Sequence, residues 1–132
     1  MPKLSRILET ALYVEDLAAA EKFYTEVLGL PLLAKQKGRH RVFTVGKDIL
    51  LIFYAPKTLK DKTTPHGAKG PGHLAFEVSQ KEYERWKRHL AEKKIKIEEE
   101  VVWRKPNHRS IYFRDPSGNI LEIATPGIWS AI

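Results

Sequence analysis

Apolar and polar positions alternate along the chain in a pattern that occurs twice, once in each half. Runs rich in β-branched and aromatic residues predict strands, and apolar residues at helical spacing predict helices. The predicted strands cover residues 9–14, 41–45 and 48–54 in the first half, and residues 73–78, 97–103, 110–114 and 119–124 in the second. A helix is predicted after Asp16 in the first half and after Ser79 in the second. Each half is therefore expected to contain a strand, a helix and two or three antiparallel strands.

Polar and glycine-containing segments predict where these elements begin and end. Asp16 suits the N-cap of the first helix, and segment 79–82 has the Ser-x-x-Glu spacing of a capping box. Gly29 can end the first helix in a left-handed conformation, and residues 115–118 predict a tight turn. Residues 56–72 are rich in proline and glycine, which is typical of a connection between two modules.

The length of the chain favours a single α+β domain over residues 1–132. Neither half is large enough to bury its own sheet face, so the two are expected to fold as one unit. The predicted boundaries are about 5–55 for module one, 56–72 for the joining loop, about 73–126 for module two and 127–132 for a C-terminal tail.

Composition narrows the possible partners. The net charge is +7, but the basic residues are scattered and do not form a run with interleaved aromatics, so no nucleic-acid partner is expected. No apolar run approaches the length of a membrane-spanning helix, and the N-terminus lacks the apolar core of a signal peptide. A cytoplasmic protein without a membrane partner is therefore expected. The chain has no cysteine, which excludes disulfides, thiolate metal sites and a cysteine nucleophile.

Superimposing the two halves brings four positions into correspondence. Glu9 aligns with His73, and Leu51 aligns with Glu122. Because side chains alternate between the faces of a strand, these positions are expected on matching faces of the two sheets. Glu122 has apolar strand neighbours, among which an unpaired carboxylate is costly to bury. One imidazole and two carboxylates suit a divalent Mn, Fe, Ni, Zn or Co ion, so a metal site at Glu9, His73 and Glu122 is predicted, with positions left open for substrate.

Each of these three residues also has an ordinary structural interpretation when it is taken alone. Glu122 fits a salt-bridged strand residue, His73 fits a hydrogen-bonded core histidine, and Glu9 fits a solvated charge at the end of a strand. The pattern of the repeat leaves both interpretations open.

Five short motifs connect the chain to a known family. They are residues 12–17 (LYVEDL), 23–24 (FY), 28–30 (LGL), 72–76 (GHLAF) and 112–123 (YFRDPSGNILEI). With these motifs the chain resembles the vicinal oxygen chelate superfamily over about residues 7–126. The superfamily includes glyoxalases, extradiol dioxygenases, epimerases, fosfomycin-resistance transferases and bleomycin-binding proteins. The last motif is the most specific of the five.

The resemblance implies paired βαβββ modules that form an incurved sheet around a metal-binding funnel. The second-module histidine of the family falls on His73, and its C-terminal glutamate falls on Glu122. The first-strand ligand, commonly histidine, falls on Glu9, which departs from the usual His-His-Glu set of extradiol dioxygenases. The fourth ligand position of glyoxalase-like members falls on Leu51, which cannot ligate and argues against a four-ligand glyoxalase I or epimerase. Single-domain members usually dimerise, so the resemblance also implies a homodimer.

Further side chains are candidates to serve the funnel. Tyr13 and Glu77 are expected on the same faces as the metal ligands, and together with Glu122 they are the predicted catalytic residues. The alternatives are that Tyr13 packs against its neighbours and that Glu77 pairs with a surface cation. His66 lies on the joining loop, where it either covers the funnel or faces solvent.

These features favour a metalloenzyme of the dioxygenase or lyase/isomerase type, in which a divalent metal chelates vicinal oxygens of a small-molecule substrate. The alternative is a metal-free protein of the same fold that binds a small molecule or antibiotic. Glu9 and Leu51 favour this alternative, whereas His73 and Glu122 favour the enzyme. The fold hosts several chemistries, so the resemblance does not name the substrate.

Overall fold

Each half of the chain forms one four-stranded mixed sheet that is covered by helices on one face. The computed structural model describes residues 1–61 and 64–130. The chain divides into two units, Met1–Gly70 and Pro71–Ile132, whose boundary lies within the predicted joining loop. The architecture is α+β, as predicted. Among the described residues, no helix is long and apolar enough to cross a membrane.

The two units have the same order of strands and one helix in the same place. In the first unit the elements are β1 Glu9–Val14, α1 Leu17–Lys22 with a π-helical continuation at Phe23–Val27, β2 Leu32–Gln36, β3 His40–Val45, β4 Asp48–Tyr54 and α2 Ala55–Lys60. In the second unit they are β5 His73–Glu77, α3 Gln80–Glu92, β6 Glu99–Val102, β7 Arg109–Arg114 and β8 Ile120–Ala124. The predicted helix caps are confirmed, because the Asp16 and Ser79 side chains accept backbone N–H groups of the first turn.

The sheets share one topology, with strand order β1-β4-β3-β2 in the first and β5-β8-β7-β6 in the second. In each sheet the first and last strands of the unit run parallel, and the remaining pairs are antiparallel. Ala11 pairs with Leu51 in the first sheet, and Ala75 pairs with Glu122 in the second. The alignment of Leu51 with Glu122, and of Glu9 with His73, is therefore confirmed residue by residue.

One face of each sheet is closed by a helix and forms the core of that unit. The core of the first unit includes Leu12, Val14, Tyr24, Phe43, Leu50 and Ile52, and that of the second includes Tyr83, Leu90, Ile111, Phe113, Leu121 and Ile123. Because side chains alternate along a strand, the residues between these core positions point to the opposite, open face. Glu9 and Tyr13 lie on the open face of the first sheet, and His73, Glu77 and Glu122 lie on that of the second.

Two elements were not predicted from the sequence. Strand β2 was missed because its sequence lacks β-branched and aromatic residues; it is an edge strand that is mostly exposed. Helix α2 lies at the start of the predicted joining loop, where Pro56 occupies its first turn. Proline is well tolerated there, since it lacks an N–H that would have no partner in any case.

Candidate functional site

The turn between β7 and β8 sets the position of the candidate site. The Asp115 carboxylate accepts the backbone N–H groups of Ser117 and Asn119, each at 2.9 Å. Gly118 completes the turn with a φ of +87°, a conformation that glycine adopts without strain. The Asn119 side chain donates to Asp115 at 2.9 Å and accepts the backbone N–H of Gly72 at 2.7 Å. The motif at 115–119 therefore ties the start of β5 to the start of β8.

His73 is the residue directly after Gly72, whose backbone N–H is bound by Asn119. It is the first residue of β5 and pairs with Ile120 of β8. Its Nδ1 lies 2.9 Å from the backbone carbonyl oxygen of Ile120. A carbonyl oxygen only accepts, so Nδ1 carries the proton, and Nε2 of the neutral ring is left with a lone pair. Metal-binding histidines usually make such a hydrogen bond through the ring nitrogen that does not bind the metal.

Glu122 faces that lone pair. Its Oε1 lies 3.2 Å from His73 Nε2, and the Glu122 side chain is only 7% exposed, whereas that of His73 is 50% exposed. A carboxylate oxygen and an unprotonated imidazole nitrogen are both acceptors, so their approach requires a positive charge between them. Either a proton shared between the two side chains or a metal cation meets that requirement.

The separation of the two atoms fits a small divalent metal. With metal–nitrogen and metal–oxygen bonds of about 2.1 Å, two neighbouring ligands of one ion stand about 3.0–3.4 Å apart. The observed 3.2 Å lies within that range. His73 is exposed on one side, so solvent and substrate have access to the pair. His73 and Glu122 are therefore suited to hold a metal with coordination positions left open.

Tyr112 is a third member of this group and was not predicted. It pairs with Glu122 across β7 and β8, and its ring stacks on His73 with centroids 6.2 Å apart and planes 26° apart. Burial raises the pKa of the Tyr112 phenol; the Ser110 hydroxyl opposes this rise and the Glu122 carboxylate adds to it. Counting outward from the turn at 115–118 would have placed Tyr112 opposite Glu122, so the signal was present in the sequence.

Glu9 and Glu77 occupy exposed positions at strand ends. Glu9 begins β1 in the first unit, and Glu77 ends β5 in the second, opposite Ala124. Over residues 1–61 and 64–130, no group of three or more His, Asp or Glu side chains is placed to hold a metal. The structure thus brings together His73 and Glu122 within one unit, and the part of Glu9 stays a prediction.

Tyr13 lies in a cluster of rings on the open face of the first sheet. Its hydroxyl is 2.6 Å from Nδ1 of His66, and its ring stacks on Phe53 at 5.9 Å. Phe53 also contacts His66 and His40 edge to face, at 4.9 and 5.8 Å. Burial raises the pKa of the Tyr13 phenol, which therefore stays protonated at neutral pH.

The joining loop is fastened to the first unit on both sides of His66. The Thr64 hydroxyl accepts a hydrogen bond from Arg39 at 2.9 Å. Gly67 lies so close to α2 that an added Cβ would stand 2.9 Å from the Thr58 carbonyl oxygen. With the Tyr13 contact, these bonds place His66 over the open face of the first sheet. His66 contacts Tyr13 and is also exposed to solvent, so its role as a cover stays a prediction.

Comparison with known proteins agrees with this fold. A family model described as the Glyoxalase/Bleomycin resistance protein/Dioxygenase superfamily matches residues 6–123. A crystal structure of lactoylglutathione lyase from Agrobacterium tumefaciens is 36% identical, with a TM-score of 0.89, and the match covers 97% of this chain and 98% of that one. A glyoxalase/dioxygenase from Nostoc punctiforme is 28% identical, with a TM-score of 0.69 and coverage of 91% and 90%.

A glyoxalase/bleomycin resistance protein/dioxygenase from Nocardioides is 26% identical, with a TM-score of 0.76 and coverage of 96% and 91%. No curated protein matches the chain significantly. The family model spans most of the sequence and includes the turn at 115–118, His73 and Glu122. The chain belongs to the glyoxalase/bleomycin resistance protein/dioxygenase superfamily.

Proposed function

We propose that the protein is a metal-dependent enzyme of the vicinal oxygen chelate type, with His73 and Glu122 among its metal ligands. The observation that carries the proposal is the 3.2 Å approach of two acceptor atoms, His73 Nε2 and Glu122 Oε1. The ion would be divalent Fe, Mn, Ni, Zn or Co, the metals that accept an imidazole with carboxylates. The substrate would be a small molecule that presents two adjacent oxygens.

The residues around the pair have separable tasks. A bound metal would supply Lewis-acid stabilisation of negative charge on the substrate oxygens. His73 is oriented by its bond to the Ile120 carbonyl, and Glu122 is held on a buried strand between His73 and Tyr112. Ala75 and Ala124, small neighbours of Glu122 on the open face, leave room beside the carboxylate.

The third ligand in this proposal is Glu9, contributed by a second copy of the chain in a homodimer. Support comes from the equivalence of Glu9 with His73 in the two sheets and from the absence of a three-ligand group in the described part of a single chain. Leu51, the partner position of Glu122, is apolar and cannot serve. The proposed site therefore has three protein ligands and open positions for substrate oxygens.

Proton transfer in this enzyme is assigned to groups on the open faces. The Tyr13 hydroxyl and His66 Nδ1 are hydrogen-bonded at 2.6 Å, so this pair can pass a proton between phenol and imidazole. Glu77 is exposed on the face that carries Glu122 and is the candidate carboxylate base. The 36% identity to a protein named lactoylglutathione lyase favours lyase chemistry on a thiol adduct over dioxygenation.

A second function is favoured by one specific feature. The open face of the first sheet carries the buried ring of Phe53 and the half-buried side chains of Tyr13, His40, Leu51 and Val42. Such a surface suits the binding of an aromatic drug or metabolite without any metal. In that case the His73–Glu122 contact would be an ion pair with a protonated imidazole.

Metal content per chain separates the two proposals. The measurement is mass spectrometry of the metal bound to native protein and to the Glu9→Ala, His73→Ala and Glu122→Ala variants after reconstitution. The control variants His89→Ala and Glu92→Ala remove the same side-chain types from α3. One metal per chain that is lost in the three site variants and kept in both controls would support the enzyme.

Native protein that binds no divalent metal would refute the enzyme and favour the binding protein. If the His73→Ala and Glu122→Ala variants lose the metal but the Glu9→Ala variant keeps it, His73 and Glu122 are ligands and Glu9 is not. If metal is present, thiol adducts of α-ketoaldehydes, α-hydroxy ketones and catechols should be tested in that order. Turnover should fall in Tyr13→Phe and His66→Ala while their metal content stays unchanged.

A further inference from the structure

The first unit contains an open cleft that none of the proposed metal ligands lines. Its volume is about 280 Å³, near the lower end of the range for small-molecule sites, so it suits one small ligand. All of its lining residues belong to the first unit. They are Glu15, Asp16, Leu17, Gly38, Arg41 and Tyr54.

Three segments of the first unit meet at this cleft. Strands β1 and β4 run parallel and end side by side, and Tyr54 is the last residue of β4. The chain leaves β1 through two acidic residues and enters α1, while the turn between β2 and β3 contributes Gly38. Arg41 lies two residues before the buried Phe43 on β3, so its side chain is on the core face of the sheet. The cleft therefore lies on the side that α1 covers, away from the open face.

Arg41 has one donor group that the chain does not use. Its side chain is 12% exposed, and its Nε donates to Glu21 at 2.6 Å. Its Nη1 donates to the backbone carbonyl oxygens of Gln36 and His40, at 3.4 and 3.1 Å. A guanidinium has five N–H donors, and Nη2 makes no hydrogen bond within the described part of the chain. Because the other bonds fix the plane of the group, Nη2 is a preorganised donor for an anionic oxygen.

The positive charge of Arg41 is only partly compensated by its ion pair. Glu21 also pairs with Lys35 at 3.5 Å, so one carboxylate serves two cations. Tyr54, a half-buried residue, adds a hydroxyl that has no hydrogen-bond partner among the residues that the structure describes. Together the Arg41 guanidinium and the Tyr54 phenol offer donors to a carboxylate.

Two carboxylates line the same cleft and restrict the kind of ligand that fits. Asp16 accepts the backbone N–H of Ala19 at 3.0 Å, which holds its side chain in place, and Glu15 precedes it. Their negative charge disfavours a ligand that is only an anion, and Arg41 disfavours one that is only a cation. A ligand that carries both charges satisfies both kinds of group. The buried Leu17 adds an apolar contact.

We propose that this cleft binds a small zwitterion of the amino-acid type, with its carboxylate at Arg41 and Tyr54 and its ammonium at Asp16. The contact with Leu17 favours an aliphatic side chain on the ligand. Binding uses no metal and none of the proposed metal ligands. The proposed enzyme and this binding site can therefore be tested, and can fail, separately.

The test titrates native protein with L-leucine and follows the backbone amide signals by NMR. Two matched probes each lack one charge: 4-methylpentanoate lacks the ammonium, and 3-methylbutylamine lacks the carboxylate. We expect leucine to shift the amide signals of Leu17, Gly38 and Tyr54. Each matched probe should bind about tenfold more weakly than leucine, because it loses a hydrogen-bonded charge.

Three variants each remove one of the proposed interactions. Tyr54→Phe removes only the hydroxyl. Asp16→Asn removes the negative charge and keeps a side chain that caps a helix equally well. Arg41→Lys keeps the positive charge and loses the planar fork of donors. Leucine should bind about tenfold more weakly to each variant.

The chain offers matched controls in exposed ion pairs away from the cleft. Arg114→Lys and Asp48→Asn make the same changes at residues that pair with Glu98 and Arg6. Weaker leucine binding in the three cleft variants, with both controls unchanged, would support the inference. Thermal unfolding shows which variants are folded, and if Arg41→Lys is not, Tyr54→Phe and the matched probes decide the question.

Two other results would overturn the inference. One is the absence of any shift at the cleft amides when leucine is added at millimolar concentration. The other is equal binding of leucine and 4-methylpentanoate with no effect of Asp16→Asn, which would indicate a site for simple anions. Neither result bears on the metal content of the protein, so the proposed function would stand or fall by its own measurement.

Discussion

Replacing Asn119 by alanine tests how the turn motif builds the site. Asn119 is 1% exposed, and its side-chain hydrogen bonds to Asp115 and Gly72 join different parts of the second unit. Its amide donates to Asp115 at 2.9 Å, and its carbonyl accepts the Gly72 N–H at 2.7 Å. The alanine variant leaves both partners without these bonds and removes the link between the turn and the start of β5.

The expected cost follows from those two bonds. A buried polar group that loses its partner costs about 1–3 kcal/mol, so the variant should lose about 3 kcal/mol in the free energy of unfolding. Gly72 is only half-buried, and water can partly replace the lost acceptor, which keeps the sum in the lower half of the range of about 2–6 kcal/mol for two bonds. For a chain of this length, about 3 kcal/mol corresponds to a melting temperature lower by about 12 °C.

The assay is thermal unfolding followed by circular dichroism, with urea denaturation for the free energy. Gln80→Ala is the control, because the Gln80 amide makes one exposed bond to the Asn107 carbonyl at 2.7 Å. That control should change stability by less than about 0.5 kcal/mol. If Asn119→Ala unfolds at the same temperature as Gln80→Ala, the reasoning about the motif is wrong. The variant should also bind metal more weakly, since His73 begins the strand that Asn119 anchors.

Three further predictions concern the first unit. Phe43→Ala should cost about 3–5 kcal/mol in urea denaturation, because the ring has no exposed surface and leaves a cavity. Gly67→Ala should cost about 1–3 kcal/mol by overpacking, because the new methyl group meets the Thr58 carbonyl at 2.9 Å; unchanged unfolding would refute this. The hydrogen bond from Arg41 lowers the pKa of Glu21 below its ordinary 4.5. The stability it adds is therefore present above pH 4.5 and is lost as the pH falls through the lowered value, so native protein and Glu21→Gln should converge in unfolding free energy at acidic pH.

The repeat was the part of the fold that the sequence predicted best. The alternation of faces and the alignment of Glu9 with His73 required only local periodicity, which strands and helices impose directly. The register of both sheets agreed with that alignment at every paired position of the outer strands. Strand β2 escaped prediction because its mostly exposed sequence, Leu-Leu-Ala-Lys-Gln, carries no such periodicity.

The sequence predicted only those residues of the candidate site whose position depends on the pattern of a single strand. His73 and Glu122 could be assigned because each stands on a strand with a clear pattern. Tyr112 was missed because its importance depends on pairing between two strands. The contact of Tyr13 with His66 depends on the path of the joining loop, which no local pattern determines.

The matched registers of the two sheets have a consequence for how this protein could have arisen. Duplication of a gene segment yields two copies of one folding unit, and both keep the pairing that makes them stable. Once Leu51 and Glu122 occupy equivalent places, either position can change its chemistry without altering the scaffold beneath it. Leu51 and Glu122 illustrate this, because one equivalent position carries an apolar side chain and the other a carboxylate on the same scaffold.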